Sequence, residues 1–285
     1  MGTENREEEK WGIKNVIGPD EYTEFVDNNA YTNYTAYYNV QSALQFIDED
    51  DSLRFEAEAF LDRLYLPSPN REGILPQDDT FLTLPELDIR RYKESAGKQL
   101  ILTEFSREEV NERQVLKQAD VVMLLYVLPE LFDAETAKKN LDYYEARTIH
   151  DSSLSKCIHS IVCLRNGERE KGEQFFEEEL DIDFDSAPTT SLDGVHAGAL
   201  GGMWLMVVAG FAGITEKNGV LSFRPLLPSF WEECFFPYVY RGRRLHITIQ
   251  QNELTGQKVS GEELDIQIGQ EKICLKAQVT RKITT

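Results

Sequence analysis

The stretch Val16-Ile17-Gly18-Pro19-Asp20-Glu21-Tyr22-Thr23-Glu24-Phe25-Val26-Asp27-Asn28-Asn29-Ala30-Tyr31-Thr32-Asn33 organises the chain. A short apolar run stops at Gly18-Pro19, where glycine admits φ > 0 and proline fixes φ and lacks an N–H, so the chain must turn. Asp20, Glu21 and Glu24 follow around Tyr22, and Asp27-Asn28-Asn29 then offers N-cap residues ahead of a helical period. The pattern predicts a strand end, a carboxylate-bearing loop and a capped helix. Such a loop suits a catalytic acid; it equally suits a solvated acidic turn that only caps the helix.

Working outward, Tyr31, Tyr34, Tyr37, Tyr38, Leu44, Phe46 and Ile47 predict a helix with an aromatic face, and Leu53 to Leu66 predicts another. Pro67, Pro69, Pro76 and Pro85 mark a long ordered loop. Helices are then expected over Val115–Phe132, Ala134–Ala146, Ser152–Arg165, Glu170–Leu180 and Ala197–Phe211, alternating apolar inner with charged outer segments. That alternation fits antiparallel helical hairpins around a closed ring, or an open bundle. After Gly213 the period changes to two. Val220–Phe223, Phe235–Tyr240, Leu245–Gln250, Leu264–Ile268 and Ile273–Val279 predict an antiparallel β module with turns at Gly242 and Thr255-Gly256. The expected domains are 1–214, helical, and 215–285, β-sandwich-like.

The chain has 285 residues and a formal net charge of −20, which argues against nucleic-acid or anionic-membrane binding, because phosphate backbones are held by Lys and Arg. Cys157, Cys163, Cys234 and Cys274 have no CxxC spacing and do not group with the four histidines, so neither a metal site nor a disulfide framework is expected. Met1–Lys10 has no apolar core of a signal peptide, and the longest apolar run, Met203–Ala212, is too short to span a bilayer. A cytoplasmic protein with free thiols is the expectation.

Besides the opening stretch, three others carry polar residues that a core does not require. Lys117-Gln118-Ala119-Asp120 heads an apolar helix, where Lys117 and Gln118 offer donors suited to sugar hydroxyls or simply face solvent. His150-Asp151-Ser152-Ser153-Leu154-Ser155 brings hydroxyls to a helix N-terminus, an anion-binding arrangement that doubles as ordinary N-capping. Pro188 to Gly202 places Gly194, Gly198, Gly201, Gly202 and His196 at another helix entrance. It reads as an anion cradle or as close helix packing, and it matches neither the Walker nor the dinucleotide pattern.

Taken together in this order, Gly18-Pro19-Asp20-Glu21-Tyr22 with Asp27–Asn33, Lys117–Asp120, His150–Ser155 and Gly194–Ala199 resemble family 65 of the glycoside hydrolases, over almost the whole chain. The resemblance implies a mostly α fold: the second half of an (α/α)6 barrel followed by a small antiparallel β domain. It implies inverting phosphorolysis of an α-glucosyl disaccharide, maltose first, to β-glucose 1-phosphate and glucose. Trehalose or kojibiose phosphorolysis, a same-fold hydrolase with Asp151 or another acid as base, and an inactive fragment or sugar-binding module are the alternatives. Glu21 resembles the proton donor, Lys117 and Gln118 the pair that binds the glucosyl unit, and Ser152, Ser153, His196 and Gly198 the phosphate ligands. No cofactor is implied; inorganic phosphate is the co-substrate, and relatives are commonly homodimers. An inverting hydrolase needs a second carboxylate to activate water, whereas phosphate is already an anionic nucleophile and needs an anion pocket instead. Glu21 should then be kept protonated by burial or by Asp20 and Glu24. Family members carry the first barrel half ahead of this acid, so the chain looks truncated at its N-terminus. It is expected to be inactive or weakly active alone unless a separate chain supplies that half.

Overall fold

Local chemistry sets the element ends in the computed structural model, which describes residues 10–95, 99–184, 194–217 and 219–283. Asn29 caps α1 (Ala30–Ala43) by accepting from the Thr32 N–H, and Asp51 caps α2 (Ser52–Arg63) by accepting from the Leu53 N–H. Two short helices follow, α3 (Arg90–Lys93) and α4 (Arg107–Asn111), the latter started by a reciprocal Ser106/Glu109 capping box. Next come α5 (Asp120–Val127) and α6 (Ala134–Glu145), which Asp133 caps.

The chain forms two compact units, Met1–Ser155 and Lys156–Thr285. In the first, α5 is the buried element: Val121, Val122, Leu124 and Leu125 are all inaccessible or nearly so. It packs against α1 and α6. A second apolar cluster joins Tyr22, Ile89, Tyr92, Ile101, Val110, Val115 and Ile149. Burying side chains of this size is worth roughly 1.5–3 kcal/mol each, so the loop carrying Tyr22 is anchored through its own aromatic ring. The proline-rich loop is packed rather than free. Asn140 of α6 accepts from the Leu75 N–H and donates to the Gly73 carbonyl, both at 2.8 Å, and the Gln77 carbonyl accepts from the Ala30 N–H at 2.7 Å.

The second unit begins with α7 (Ser155–Arg165, its first residue in the preceding unit), α8 (Arg169–Phe184) and α9 (Ala197–Leu205), which runs on as a π-helical turn, Met206–Phe211. Small residues allow the helices close approach. A Cβ on Gly202 would lie 2.9 Å from the Cys157 Sγ, and one on Gly172 would lie 2.6 Å from the Leu164 side chain.

The β region comprises β1 (Ile214–Lys217), β2 (Val220–Phe223), β3 (Glu233–Tyr240), β4 (Arg243–Gln250), β5 (Glu253–Ser260), β6 (Leu264–Ile268), β7 (Glu271–Leu275) and β8 (Gln278–Lys282). They form two four-stranded sheets, ordered β1-β2-β6-β7 and β3-β4-β5-β8. The β3–β4 turn, with Arg241 at φ 48° and Gly242 at φ 77°, has the two positive φ values of a type I′ hairpin. Alternation sends Leu245, Ile247 and Ile249 of one sheet and Leu264, Ile266 and Ile268 of the other inside. Gly256 brings the sheets together, since a Cβ there would lie 3.9 Å from both Ile266 and Leu275.

Several expected boundaries shift. The helix predicted over Val115–Phe132 is helical only over Asp120–Val127, because Asp20 and a bridge to residue 148 hold residues 116–117 extended and Pro129 starts a separate 3-10 turn. Thr255-Gly256 lies within β5, and the turn falls at Gln251-Asn252. The run Ile273–Val279 is two strands in different sheets, divided at Lys276-Ala277. The module is antiparallel except that β2 pairs β6 in parallel. Within Pro188–Gly202, residues 188–193 lie outside the described residues, as do 1–9 of the N-terminal stretch.

Candidate active site

The acid loop is closed at its neck by an antiparallel bridge, Val16 N–H to the Val26 carbonyl at 2.9 Å and the reverse at 3.0 Å. Inside it, Asp20 is wholly buried and saturated with donors. Its Oδ1 accepts from the Lys117 N–H at 2.8 Å and the Tyr22 N–H at 3.2 Å, and its Oδ2 accepts from the Thr23 hydroxyl at 2.6 Å. The Asp20 N–H donates to Asp120 Oδ1 at 2.5 Å, and Asn29, already the cap of α1, donates to Asp120 Oδ2 at 2.6 Å. One frame therefore joins the Gly18-Pro19 turn, the start of α1 and the start of α5. A Cβ on Gly18 would fall 2.0 Å from Asp120 Oδ2, so only glycine fits there.

Burial drives the electrostatics of this frame. Desolvation raises the Asp20 carboxyl from its ordinary 3.8 to about 6 despite hydrogen bonds that favour the charged form. Asp120 is pushed well above its ordinary value, first by desolvation and then by the charge of Asp20. Glu21 differs from its neighbour. Its side chain is 58% exposed and ion-paired with Lys117, whose own side chain is only 16% exposed. The expectation that burial surrounds Glu21 is thus corrected: the turn points Asp20 inward and leaves Glu21 at the surface, which a glutamate on a tight loop reaches by its longer stem. Gln118 is half-buried and its amide donates to the Pro19 carbonyl.

A parallel bridge between Leu116 and Thr148 lays the Lys117 segment beside the serine turn. There His150 adopts φ 64°, its Nδ1 is 2.8 Å from the Ser155 hydroxyl, and its Nε2 is 3.2 Å from a Glu145 oxygen. Asp151 is buried in this turn. Its Oδ2 accepts from the buried Tyr22 hydroxyl at 2.9 Å and its Oδ1 from the Gln99 N–H at 3.3 Å. The Ser152 hydroxyl accepts from the Leu154 N–H at 3.2 Å just ahead of α7, and Ser153 stands half-buried beside it. Burial, then the Asp151 charge and hydrogen bond, raise the Tyr22 hydroxyl above its ordinary value, which keeps it a donor.

The first unit thus brings Glu21, Lys117, Gln118, Ser152 and Ser153 onto one hydrogen-bonded framework. In the second unit His196 is the N-cap residue of α9 and Gly198 is exposed in its first turn. The His196 N–H and Nδ1 both meet the Asp183 carboxylate of α8, at 3.0 and 2.8 Å. Sequence reasoning singled out the candidate positions and read Asn29 within an N-cap cluster, but gave no role to Asp120 or Asp183, whose carboxylates accept from Asp20 and His196. The available signal was Asp120 at the head of an apolar helix, a carboxylate that burial would have to partner.

Two family models match in chain order: the central catalytic domain of glycosyl hydrolase family 65 over residues 1–205, and the C-terminal domain of the same family over residues 215–275. A kojibiose phosphorylase of Escherichia coli (strain K12) is 49% identical over 246 residues, covering 85% of this chain and 33% of the relative. A maltose phosphorylase of Bacillus subtilis (strain 168) is 29% identical over 294 residues, covering 98% and 38%. The chain spans about a third of the length of these curated relatives. A solved structure, a provisionally named kojibiose phosphorylase from human microbiome, superposes with a TM-score of 0.89 at 24% identity, over 99% of this chain and 43% of that one. Helices followed by a small antiparallel-rich β region, as expected, make up the fold that this chain shares with that solved structure.

Proposed function

The chain belongs to glycosyl hydrolase family 65, and on that premise we propose that it carries the acid and phosphate-binding half of an inverting disaccharide phosphorylase. Glu21 protonates the glycosidic oxygen, Lys117 and Gln118 bind the glucosyl unit, and Ser152, Ser153, His196 and Gly198 receive inorganic phosphate. Phosphate attacks the anomeric carbon from the face opposite the departing sugar, the C–O bond to that sugar breaks, and its oxygen takes the Glu21 proton. The products are β-glucose 1-phosphate and a free sugar. Sequence reasoning put maltose first; 49% identity to a kojibiose phosphorylase against 29% to a maltose phosphorylase favours kojibiose.

The observation that carries the reading is the Tyr22–Asp151 hydrogen bond, which ties the residue after the acid to the residue before the serines. It also weighs against the hydrolase alternative. Asp151, the candidate base, is buried with one oxygen on a phenol and the other on an amide, which leaves it poorly placed to activate water. Lys117 sits on Glu21, so a glucosyl unit that takes the ammonium's donors frees Glu21 to carry a proton.

The test is the phosphate dependence of product formation from kojibiose, with maltose and trehalose alongside. The chain is assayed alone and together with the part of the Escherichia coli relative that it does not match. Glucose 1-phosphate formed only in the presence of phosphate, by the supplemented chain and not by Glu21→Gln, is the expected result. Glucose released without phosphate would replace this reading with hydrolysis.

A further inference from the structure

A single carboxylate holds His196 twice. Asp183 Oδ2 accepts from the His196 backbone N–H at 3.0 Å, and Asp183 Oδ1 lies 2.8 Å from the ring Nδ1. The pair is sheltered, with side-chain exposures of 12% for Asp183 and 22% for His196. Because both the backbone and the ring are tethered to the same group, the imidazole is fixed in orientation and in hydrogen placement. A carboxylate only accepts, so Nδ1 must carry a hydrogen.

We infer that Asp183 is a positioning residue that holds His196 in the Nδ1–H form, so that binding of the phosphate dianion at His196 takes up one proton. The inference rests on the reading of His196 as a phosphate ligand. In the neutral ring so held, Nε2 has only a lone pair, and Nε2 has no hydrogen-bond partner among the described residues. A phosphate oxygen meeting that lone pair is acceptor against acceptor. One proton resolves the conflict, either on Nε2 facing the phosphate dianion or on a phosphate oxygen facing neutral Nε2. Both arrangements contain the same atoms: Nδ1–H imidazole, hydrogen phosphate dianion and one added proton.

The surroundings leave this role to Asp183. The first turns of α9, Ala197 to Gly202, contain no ionisable side chain. On α8, one turn before Asp183, Glu179 is buried, and burial raises it to about 8. On α7, Lys156 is paired with Glu178 at 2.9 Å, and Cys157 packs against Gly202.

The full chain has four histidines, so nitrogen-15 NMR of the imidazoles resolves His196 without any ligand. The expected result is the Nδ1–H tautomer in the native chain and a mixed or Nε2–H ring in Asp183→Ala. Asp183→Asn, which keeps an accepting oxygen but not the charge, should retain the tautomer. A native Nε2–H ring, or an unchanged tautomer in a folded Asp183→Ala, overturns the hold. Calorimetry with inorganic phosphate, repeated in buffers of different ionisation enthalpy, should show uptake of one proton at alkaline pH, where phosphate is the dianion and the ring is neutral. Affinity should fall about tenfold per pH unit there, and Asp183→Ala should lose that linkage. If His196→Ala binds phosphate as well as the native chain does, the phosphate reading of His196 fails while the tautomer still decides the hold. If His196→Ala loses binding but Asp183→Ala keeps both affinity and proton uptake, the positioning role fails alone.

Discussion

Tyr22 donates its hydroxyl to Asp151 Oδ2 at 2.9 Å across 129 positions of sequence, with both side chains buried. Each is the immediate neighbour of a candidate reactive residue, Glu21 on one side and Ser152 on the other. In the proposed phosphorolysis, which needs acid and nucleophile on opposite faces of one sugar, this bond would set the register of the two.

Tyr22→Phe keeps the ring in its apolar cluster and removes only the hydroxyl. It should cost about 1.5–3 kcal/mol, as expected for a buried hydrogen bond to a charged acceptor. In the supplemented enzyme kcat should fall more than the KM for disaccharide rises, because substrate binding survives while the geometry of transfer loosens. Denaturant melts and steady-state kinetics check both. A rise in KM alone would show that the bond supports binding only.

Gly18→Ala should be far more damaging than an exposed glycine substitution. The added methyl would lie 2.0 Å from Asp120 Oδ2 and 2.8 Å from Asn29 Nδ2, two members of the buried frame. Overpacking of this kind costs about 1–3 kcal/mol, and lost hydrogen bonds add to it. Gly201→Ala, with nothing within 4 Å of the added methyl, is the control and should be near neutral or stabilising. Thermal melts of the two variants decide the point.

Asp20 gives the fold a pH dependence whose sign follows from its raised carboxyl. The unfolded group titrates near 3.8 and the folded one near about 6, so the folded chain holds the extra proton between those values. Stability from this group is complete below the unfolded value and is lost as pH rises through about 6. Asp20→Asn removes the titration. Its stability relative to the native chain should therefore improve by about 2–3 kcal/mol between pH ~4 and pH ~7.5, measured as a difference of denaturation curves. A difference independent of pH would show that Asp20 does not titrate in this window.

Glu179 is 1% exposed, and neither carboxylate oxygen has a hydrogen-bond partner among the described residues. Burial raises it from 4.5 to about 8, so it enters the fold as a neutral acid at neutral pH. The cost of keeping it so accumulates as pH rises from the unfolded value to about 8. Glu179→Gln should stabilise the chain by up to about 4 kcal/mol at pH ~8 and by little at pH ~4. Equal stabilisation at both would assign the effect to packing instead of charge.

Much of this protein was legible in one dimension because the signals are local. Asn29 caps α1, Asp133 caps α6, and the Arg241-Gly242 turn carries positive φ, each through groups within a few residues of one another. The change from helical to alternating period after Gly213 marks where the strands begin. The four motifs stood in an order that pointed to one family, which the family models match. Where the pattern was ambiguous, pairing partners decided. Residues 116–117 adjoin an apolar helical run but are held extended by Asp20 and by a bridge to residue 148, and Ile273–Val279 alternates as one strand but divides between two sheets.

By itself, then, the sequence determined the element types, the family and the loop on which Glu21 sits. Only the tertiary structure decided that Asp20, and not Glu21, is the buried carboxyl, and that Lys117 reaches Glu21. Which of two adjacent acids turns inward depends on partners about a hundred positions away, the Lys117 N–H that donates to the Asp20 carboxylate and the Asp120 carboxylate that accepts from the Asp20 N–H. Spacing within the loop contains no record of those partners, because desolvation and hydrogen bonding are properties of the assembled neighbourhood. The same reason hid Asp183, an acid near the end of a charged helix until folding laid it against His196.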